Sequence, residues 1–275
     1  MADAFRSAGI ETPDLDARFL IQGVLGLDGT ALLKDPQRPL GNAADKLKQA
    51  MVRRLAGEPV SRILGFREFY GRSFAITPDV LDPRADTETL IDLALDIAGA
   101  NGWRNRPIRI ADIGTGSGIL IVTLLAELPL ATGLANDISP AALDVARANA
   151  LAHGIGGDRV LFVAARGLGG AQQPFDLIVA NPPYIPTADL AELEPGVRQF
   201  DPVMALDGGP DGLQVYREIA NEISLLDGNT WVALEIGAGQ AYDVTALFSK
   251  SGARPAQQRR DLGGHIRAVS FQYHR

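Results

Sequence analysis

Residues 108–118 read Ile-Arg-Ile-Ala-Asp-Ile-Gly-Thr-Gly-Ser-Gly, a short apolar segment that runs directly into three alternate glycines. The apolar part, 108–113, predicts a buried strand, and the apolar run 119–128 after the glycines predicts a helix. Glycines between a strand and a helix let the backbone turn tightly and bring free N–H groups close to a ligand. The stretch therefore predicts the ligand-binding turn of an α/β protein.

The same alternation of strand and helix continues on both sides of this turn. Further strands are predicted at 133–136, 160–164, 175–180 and 231–236, and further helices at 87–98, 140–152 and 212–226. Short strands that alternate with longer helices are typical of a doubly wound, Rossmann-like parallel sheet with both faces covered. A last apolar segment, 266–273, predicts an additional strand at one edge of the sheet.

The chain before residue 85 has a different pattern. Apolar residues at helical spacing, punctuated by glycine and proline, predict helices at 14–25 and 42–55, with Leu15, Phe19 and Leu20 on one apolar face of the first. Alternating residues around Gly71 predict a short hairpin. We expect a helical domain over 1–66, a hairpin linker over 67–84 and the α/β domain over 85–275.

Composition restricts the possible chemistry. The 275 residues include no cysteine, which excludes disulfides, thiolate zinc sites and cysteine nucleophiles, and the three scattered histidines predict no metal site. With 26 Lys+Arg against 33 Asp+Glu the net charge is −7, which disfavours stable nucleic-acid binding. We expect a cytoplasmic protein without a membrane partner, because the N-terminal residues do not resemble a signal peptide and every apolar run is far shorter than the ~20 residues of a membrane span.

The glycine turn and the acidic residue after the next strand together indicate a cofactor. Ile119 stands where a dinucleotide-binding fingerprint has its last glycine, which argues against a pyrophosphate clamp. Asp137 follows the strand at 133–136, where a carboxylate can accept hydrogen bonds from both hydroxyls of a ribose. This combination suits S-adenosyl-L-methionine, with S-adenosyl-L-homocysteine as the product. The candidate cofactor-binding residues are Gly114, Thr115, Gly116, Ser117, Gly118 and Asp137.

The loop Asn181-Pro182-Pro183-Tyr184 follows a predicted buried strand directly. The prolines fix their own φ angles and keep the preceding residues extended, which presents two neutral acceptors, the side-chain oxygen of Asn181 and the carbonyl of Pro182. A planar NH2 group fits these acceptors, and Tyr184 is expected to flank it. Such a pair pyramidalises an amide nitrogen and aims its lone pair at a methyl donor. Asn181, Pro182 and Tyr184 are the candidate catalytic residues.

These two motifs resemble those of S-adenosylmethionine-dependent methyltransferases that act on planar nitrogens. More narrowly, the chain resembles the HemK/PrmC family, which methylates the N5 nitrogen of the glutamine in the Gly-Gly-Gln motif of bacterial class I peptide chain release factors. The likeness spans nearly the whole chain, including 65–70 and Asp86-Thr87-Glu88. It implies that residues 114–118, Asp137 and Asn181 contact the cofactor and that 181–184 hold the glutamine of a release factor bound by the N-terminal domain.

Two departures from the family pattern affect these expectations. Ala85 replaces the second proline of Pro-Arg-Pro-Asp-Thr-Glu, and Ala165-Arg166 stand where the family commonly has an aspartate and an aromatic near the adenine. Arg166 is therefore a candidate to stack its guanidinium on the base.

Three other functions are compatible with the motifs. Adenine-N6 and guanine-N2 nucleic-acid methyltransferases share the Asn-Pro-Pro-Tyr chemistry, a ribosomal protein is an alternative glutamine substrate, and the chain is alternatively a binding module that has lost catalysis. The arginines at 259, 260, 267 and 275 form a basic cluster that is either a solvated edge or a contact for RNA or an acidic partner. The acidic balance and Asp86-Thr87-Glu88 favour the release-factor function.

Overall fold

The computed structural model describes residues 1–27, 29–35, 37–169 and 174–274. The chain divides into two compact units. Met1–Phe66 and Glu194–Phe200 form the first unit, and Arg67–Leu193 and Asp201–Arg275 form the second.

The first unit is helical. Its helices are α1 Ala2–Ser7, α2 Pro13–Leu25, α3 Gly29–Lys34, α4 Ala43–Leu55 and α5 Val60–Leu64. Helix α2 begins at Pro13, whose fixed φ suits the first helical position, and ends at Gly26 in the left-handed conformation. The predicted helices at 14–25 and 42–55 are confirmed, with boundaries shifted by one residue.

The apolar face expected on α2 is only partly correct. Leu20 is fully buried, whereas Leu15 and Phe19 are 39% and 43% exposed. The buried face turns toward Asp16 instead, because its carboxylate accepts a hydrogen bond from the Arg54 guanidinium of α4 at 2.7 Å. A partly buried ion pair thus links α2 to α4, and two large apolar side chains of α2 remain at the surface.

The predicted hairpin is confirmed and packs on the core of the second unit. Its strands are β1 Phe66–Phe69 and β2 Arg72–Ala75. Tyr70 and Gly71 form the turn with φ of 50° and 70°. Phe69 and Phe74 are buried in the same apolar cluster as the helices that follow.

A seven-stranded sheet forms the centre of the second unit. Its strands are β3 Arg109–Ile113, β4 Thr132–Asp137, β5 Val160–Ala164, β6 Leu177–Ala180, β7 Asn229–Glu235, β8 Arg254–Arg260 and β9 Ile266–His274. They lie in the order β5-β4-β3-β6-β7-β9-β8, with β3 to β7 parallel and β9 antiparallel to both neighbours. The segment 266–273 is therefore an internal strand, and its prediction as an edge strand is wrong. The edge is β8, whose polar, exposed sequence shows no apolar alternation.

Helices cover both faces of this sheet. The helices of this unit are α6 Glu88–Ala100, α7 Ile119–Glu127, α8 Pro140–Ala152, α10 Gln214–Ile223 and α11 Ala241–Lys250, whereas α9 Pro195–Phe200 belongs to the first unit. Neighbouring residues of β3 point to opposite faces, since Ile110 packs with α6 and α7 while Ala111 packs with α10 and α11. The doubly wound fold is confirmed. Within the described ranges, no helix is long and apolar enough to cross a membrane.

Candidate active site

A cavity of about 900 Å³ opens at the carboxyl ends of the parallel strands. Its lining includes residues 114–117 after β3, 136–139 around the end of β4, 165–167 after β5 and 181–183 after β6. Strand order reverses at β3, which has β4 on one side and β6 on the other. Ligands of doubly wound proteins bind at such a reversal.

The glycine turn forms the floor of this cavity. Gly114 and Gly116 have φ of 70° and 54°, and a Cβ on either would project into open space. Both residues line the cavity, so a side chain there would occupy room that a ligand can use. Gly118 has another role, because a Cβ on it would lie 3.1 Å from the Cβ of Ala146 in α8. The structure thus places Gly118 against a neighbouring helix, and its contact with a cofactor stays a prediction.

Asp112, near the end of β3, supports the glycine turn through hydrogen bonds. Its Oδ2 accepts hydrogen bonds from the Thr115 hydroxyl at 2.6 Å and from the Ile121 amide at 3.3 Å. The side chain is fully buried, and this burial raises its pKa to about 7. The supporting role was not anticipated, although a carboxylate inside an apolar strand is the kind of signal that suggests one.

Asp137 lies at the end of β4 and bonds to the glycine turn. Its Oδ2 accepts from the Gly116 amide at 3.0 Å, and its Oδ1 accepts from the Ser139 amide at 2.9 Å. Each carboxylate oxygen has a second lone pair, so both can also accept a hydroxyl proton. The open backbone at Gly114 and Gly116, the carboxylate and the cavity volume fit S-adenosylmethionine.

Two glutamates of α10 hold the loop after β5 and line the cavity. Glu218 receives two hydrogen bonds from the Arg166 guanidinium, both at 2.9 Å. Glu222 accepts from the Leu168 amide at 2.8 Å and lies so close to Gly167 that a Cβ there would be 1.8 Å from its Oε2. The two hydrogen bonds direct the exposed guanidinium of Arg166 toward α10, and stacking of Arg166 on adenine stays a prediction. Neither glutamate was identified from the sequence.

The first three residues of the Asn-Pro-Pro-Tyr loop and its tyrosine lie in different surroundings. Asn181, Pro182 and Pro183 line the cavity, and the side-chain amide of Asn181 donates to the Thr87 hydroxyl at 3.3 Å. Tyr184 packs instead against the core under α10 and α11, and its carbonyl accepts from the Gln240 side chain at 3.0 Å. Burial raises the pKa of its hydroxyl. The flanking role expected for Tyr184 stays a prediction.

Glu235, the last residue of β7, is a further buried acid behind this loop. Burial is the largest influence on its carboxyl group and raises its pKa to about 7, with a smaller increase from Asp86. The neighbouring polar side chains of Thr87 and Asn181 and the charge of Arg267 lower this pKa, and the Oε2 of Glu235 has no hydrogen-bond partner among the described residues. In the sequence, Glu235 lies within the predicted strand 231–236 and carries no signal of a functional role.

The mostly parallel sheet, the glycine turn and the carboxylate after the next strand define the class I S-adenosylmethionine-dependent methyltransferases. Residues 1–65 match the family model of the PrmC N-terminal domain, and residues 102–192 match that of the methyltransferase small domain. The chain is 46% identical over 264 residues to the release factor glutamine methyltransferase of Rhodospirillum rubrum, which covers 95% of this chain and 79% of that one. It is 44% identical over 276 residues to that of Bradyrhizobium diazoefficiens, with coverages of 98% and 91%. The chain belongs to the release factor glutamine methyltransferase family.

Solved structures support the fold. The catalytic domain of hMettl16 in complex with MAT2A 3'UTR hairpin 6 aligns with a TM-score of 0.59 at 16% identity, over 85% of this chain and 82% of that one. A methyltransferase from Pyrococcus furiosus aligns with a TM-score of 0.51 at 15% identity, over 83% of this chain and all of that one.

Proposed function

We propose that the chain transfers a methyl group from S-adenosylmethionine to the N5 nitrogen of the glutamine in the Gly-Gly-Gln motif of bacterial class I release factors. The observation that carries this proposal is that Asn181, Pro182 and Pro183 line the same cavity as the glycine turn and Asp137. A pair of amide acceptors and a cofactor cradle in one cavity suit transfer to a planar nitrogen.

Two parts of the site bind different ends of the cofactor, namely the glycine turn and Asp137. The amides of Thr115 and Gly116 already donate to the Asn136 carbonyl and to Asp137, so the glycine turn would receive the amino-acid end of the cofactor on open backbone beside Gly114 and Gly116, and Asp137 would accept from its ribose hydroxyls. S-adenosylmethionine, when bound, supplies an electrophilic methyl group on a sulfonium.

Asn181 and Pro182 orient the substrate. A glutamine amide is a poor nucleophile because its nitrogen lone pair is delocalised into the carbonyl. When the Asn181 Oδ1 and the Pro182 carbonyl each accept one N–H proton, the nitrogen is held with its lone pair directed away from both acceptors, toward the methyl donor. No strong base is needed beforehand, because the methylated nitrogen loses its proton readily.

For the first helical region, 1–66, the proposal is a role in binding the protein substrate. The large apolar side chains that are exposed in this region are Leu15, Phe19, Leu40, Val52 and Leu55. Leu15 and Phe19 lie four residues apart on one face of α2, and this exposed apolar pair supports a protein-binding surface, since a glutamine in a protein loop must be delivered by its carrier.

The basic cluster supports a protein substrate over a nucleic acid. Arg259 bonds to Asp92 and Asp96, and Arg267 bonds to Asp261. Two of the three cluster arginines that the structure describes are thus paired with carboxylates, whereas Arg260 donates to the Gly264 carbonyl, which leaves less positive charge for a phosphate backbone. Arg275, which the prediction included in the cluster, lies outside the described residues.

Transfer of a labelled methyl group tests the proposal. The protein is incubated with labelled S-adenosylmethionine and one of three acceptors, namely a release factor, the same factor with its motif glutamine replaced by alanine, or total ribosomes. Label in the first acceptor alone supports the proposal. Label in ribosomal protein or RNA, with none in the release factor, would overturn it and favour one of the alternative substrates.

A further inference from the structure

The side-chain amide of Asn181 has an oxygen branch and an NH2 branch. Its catalytic use depends on which of the two points toward the substrate. Oxygen and nitrogen occupy similar space on the two branches of the amide plane, so shape alone does not select between them. With the oxygen toward the cavity the side chain accepts a substrate proton, whereas with the NH2 toward the cavity it would repel the substrate's own N–H.

A chain of buried polar groups behind Asn181 sets this orientation. Asn181 Nδ2 donates to Thr87 Oγ1 at 3.3 Å. Thr87 is 0% exposed and Glu235 is 2% exposed, and the buried Oε2 of Glu235 has no hydrogen-bond partner among the described residues. Thr87 and Asn181 both lower the pKa of the Glu235 carboxyl group, so their polar side chains lie next to it. These residues come from three separate parts of the second unit, before α6, after β6 and at the end of β7.

The polarity of this chain follows from its last member. When Glu235 is ionised, its carboxylate has no hydrogen and can only accept, which directs the proton of the neighbouring Thr87 hydroxyl toward the unpartnered Glu235 Oε2. The lone pairs of Oγ1 are then free to accept from Asn181, which must present its NH2 branch to Thr87 and Glu235. The oxygen branch is left for the cavity.

We infer that Thr87 and Glu235 are positioning residues that hold the Asn181 amide with its oxygen toward the substrate nitrogen. This inference rests on the proposed function, since it specifies how the same loop holds the glutamine. Neither residue lies in the Asn-Pro-Pro-Tyr motif, and Glu235 acts only through its partners.

A matched pair of substitutions at position 87 tests the inference. Thr87→Val keeps the shape and removes the hydroxyl, whereas Thr87→Ser keeps the hydroxyl. We expect Thr87→Val to lower kcat about ten- to a hundredfold, as expected for misplacement of a reacting group, with KM for the release factor and Kd for S-adenosylmethionine within about twofold of the parent. Thr87→Ser is expected to stay within about threefold of the parent in all three quantities.

A second measurement reads the orientation without turnover. The Asn181 side-chain NH2 signals, identified in a nitrogen-15 spectrum by their loss in Asn181→Ala, are expected to exchange slowly with solvent in the parent and in Thr87→Ser. They are expected to exchange fast in Thr87→Val. A merely structural role of Thr87 would change the melting temperature without this selective loss of protection.

The pH profile supplies a third readout and uses Glu235→Gln. Glutamine brings its own NH2 donor, which removes the fixed polarity, so the variant is expected to lose kcat and to lack an inflection that the parent shows near pH 7. The charged and titratable groups that face Glu235 are Asp86, Tyr184, Tyr216 and Arg267. Asp112 also has a pKa of about 7, but it is unchanged in the variant.

The outcomes separate the two proposals. A parent that does not methylate the release factor would overturn the proposed function and this inference with it. An active parent with an equally active Thr87→Val would overturn the inference alone, as would a Thr87→Ser that loses as much as Thr87→Val. If Thr87→Val does not fold, Glu235→Gln provides the test. A Glu235→Gln variant that keeps the parent's kcat and the inflection of its pH profile would overturn the inference.

Discussion

Replacing Glu235 with glutamine removes a buried group that titrates near neutrality and should change how stability depends on pH. Burial raises the pKa of this carboxyl group from an ordinary 4.5 to about 7 in the folded protein. Between these two pH values the folded chain holds a proton that the unfolded chain has released. The parent's free energy of unfolding therefore falls as the pH rises from 4.5 to 7 and is insensitive to this group above that range.

The magnitude follows from the size of the shift. At 1.36 kcal/mol per pKa unit, a rise from 4.5 to about 7 corresponds to about 3 kcal/mol. Glutamine does not titrate, so the stability of the variant relative to the parent should improve by about 3 kcal/mol across this interval. A pH-independent cost of burying the new amide would shift the variant's free energy of unfolding by the same amount at every pH. It would not alter the change of about 3 kcal/mol between pH 4.5 and 7. Asp112 titrates in both proteins and cancels.

Tryptophan fluorescence during urea unfolding is a suitable assay. The chain has two tryptophans, Trp103 and Trp231, and both pack in the core of the second unit, where Glu235 lies. Parent and variant are compared at several pH values between about 4.5 and 8. Parallel curves over this interval would refute the reasoning, because they would show that the Glu235 pKa is the same in the folded and unfolded chains.

Three further substitutions, with Leu262→Ala as a control, test the site and the helical region 1–66. Asn181→Ala should lower turnover at least about a hundredfold and leave the cofactor Kd, measured by calorimetry, within about twofold, since it removes a group that orients the substrate. Asp137→Ala should instead weaken cofactor binding about ten- to a hundredfold in the same calorimetric titration, because hydrogen bonds to a charged group are lost. Phe19→Ala should raise KM for the release factor several-fold, whereas Leu262→Ala, which removes an exposed leucine of the second unit, should not. Unchanged KM in Phe19→Ala would contradict the substrate-binding role of 1–66.

Local patterns were sufficient for most of the parallel sheet. The helix that begins at Pro140 is predicted by Ser139, whose side chain accepts from the Ala142 amide, and its boundaries in the structure are those of the prediction. Strand β8 was missed because its exposed polar sequence buries no alternating face. Without β8, the segment that forms β9 was wrongly placed at the edge of the sheet.

The motif residues at the cavity were found because each follows a strand in the sequence. The groups that support them were missed because their roles depend on contacts between distant segments. Glu235 looks like the end of an ordinary strand until the fold brings Thr87 and Asn181 to it, and Glu218 looks like a solvated helix residue until it meets Arg166. Such pairs are set by the packing of α10 and β7 against the parallel strands, which spacing along the chain does not encode.

Mass spectrometry of a release factor tests the central claim most directly. The factor is treated with S-adenosylmethionine and either the parent protein or Asn181→Ala, digested, and fragmented to locate any added mass. The account predicts one methyl group on the glutamine of the Gly-Gly-Gln motif with the parent protein and almost none with the variant. A methyl group on any other residue, or an unmodified factor beside a parent protein that binds the cofactor, would contradict it.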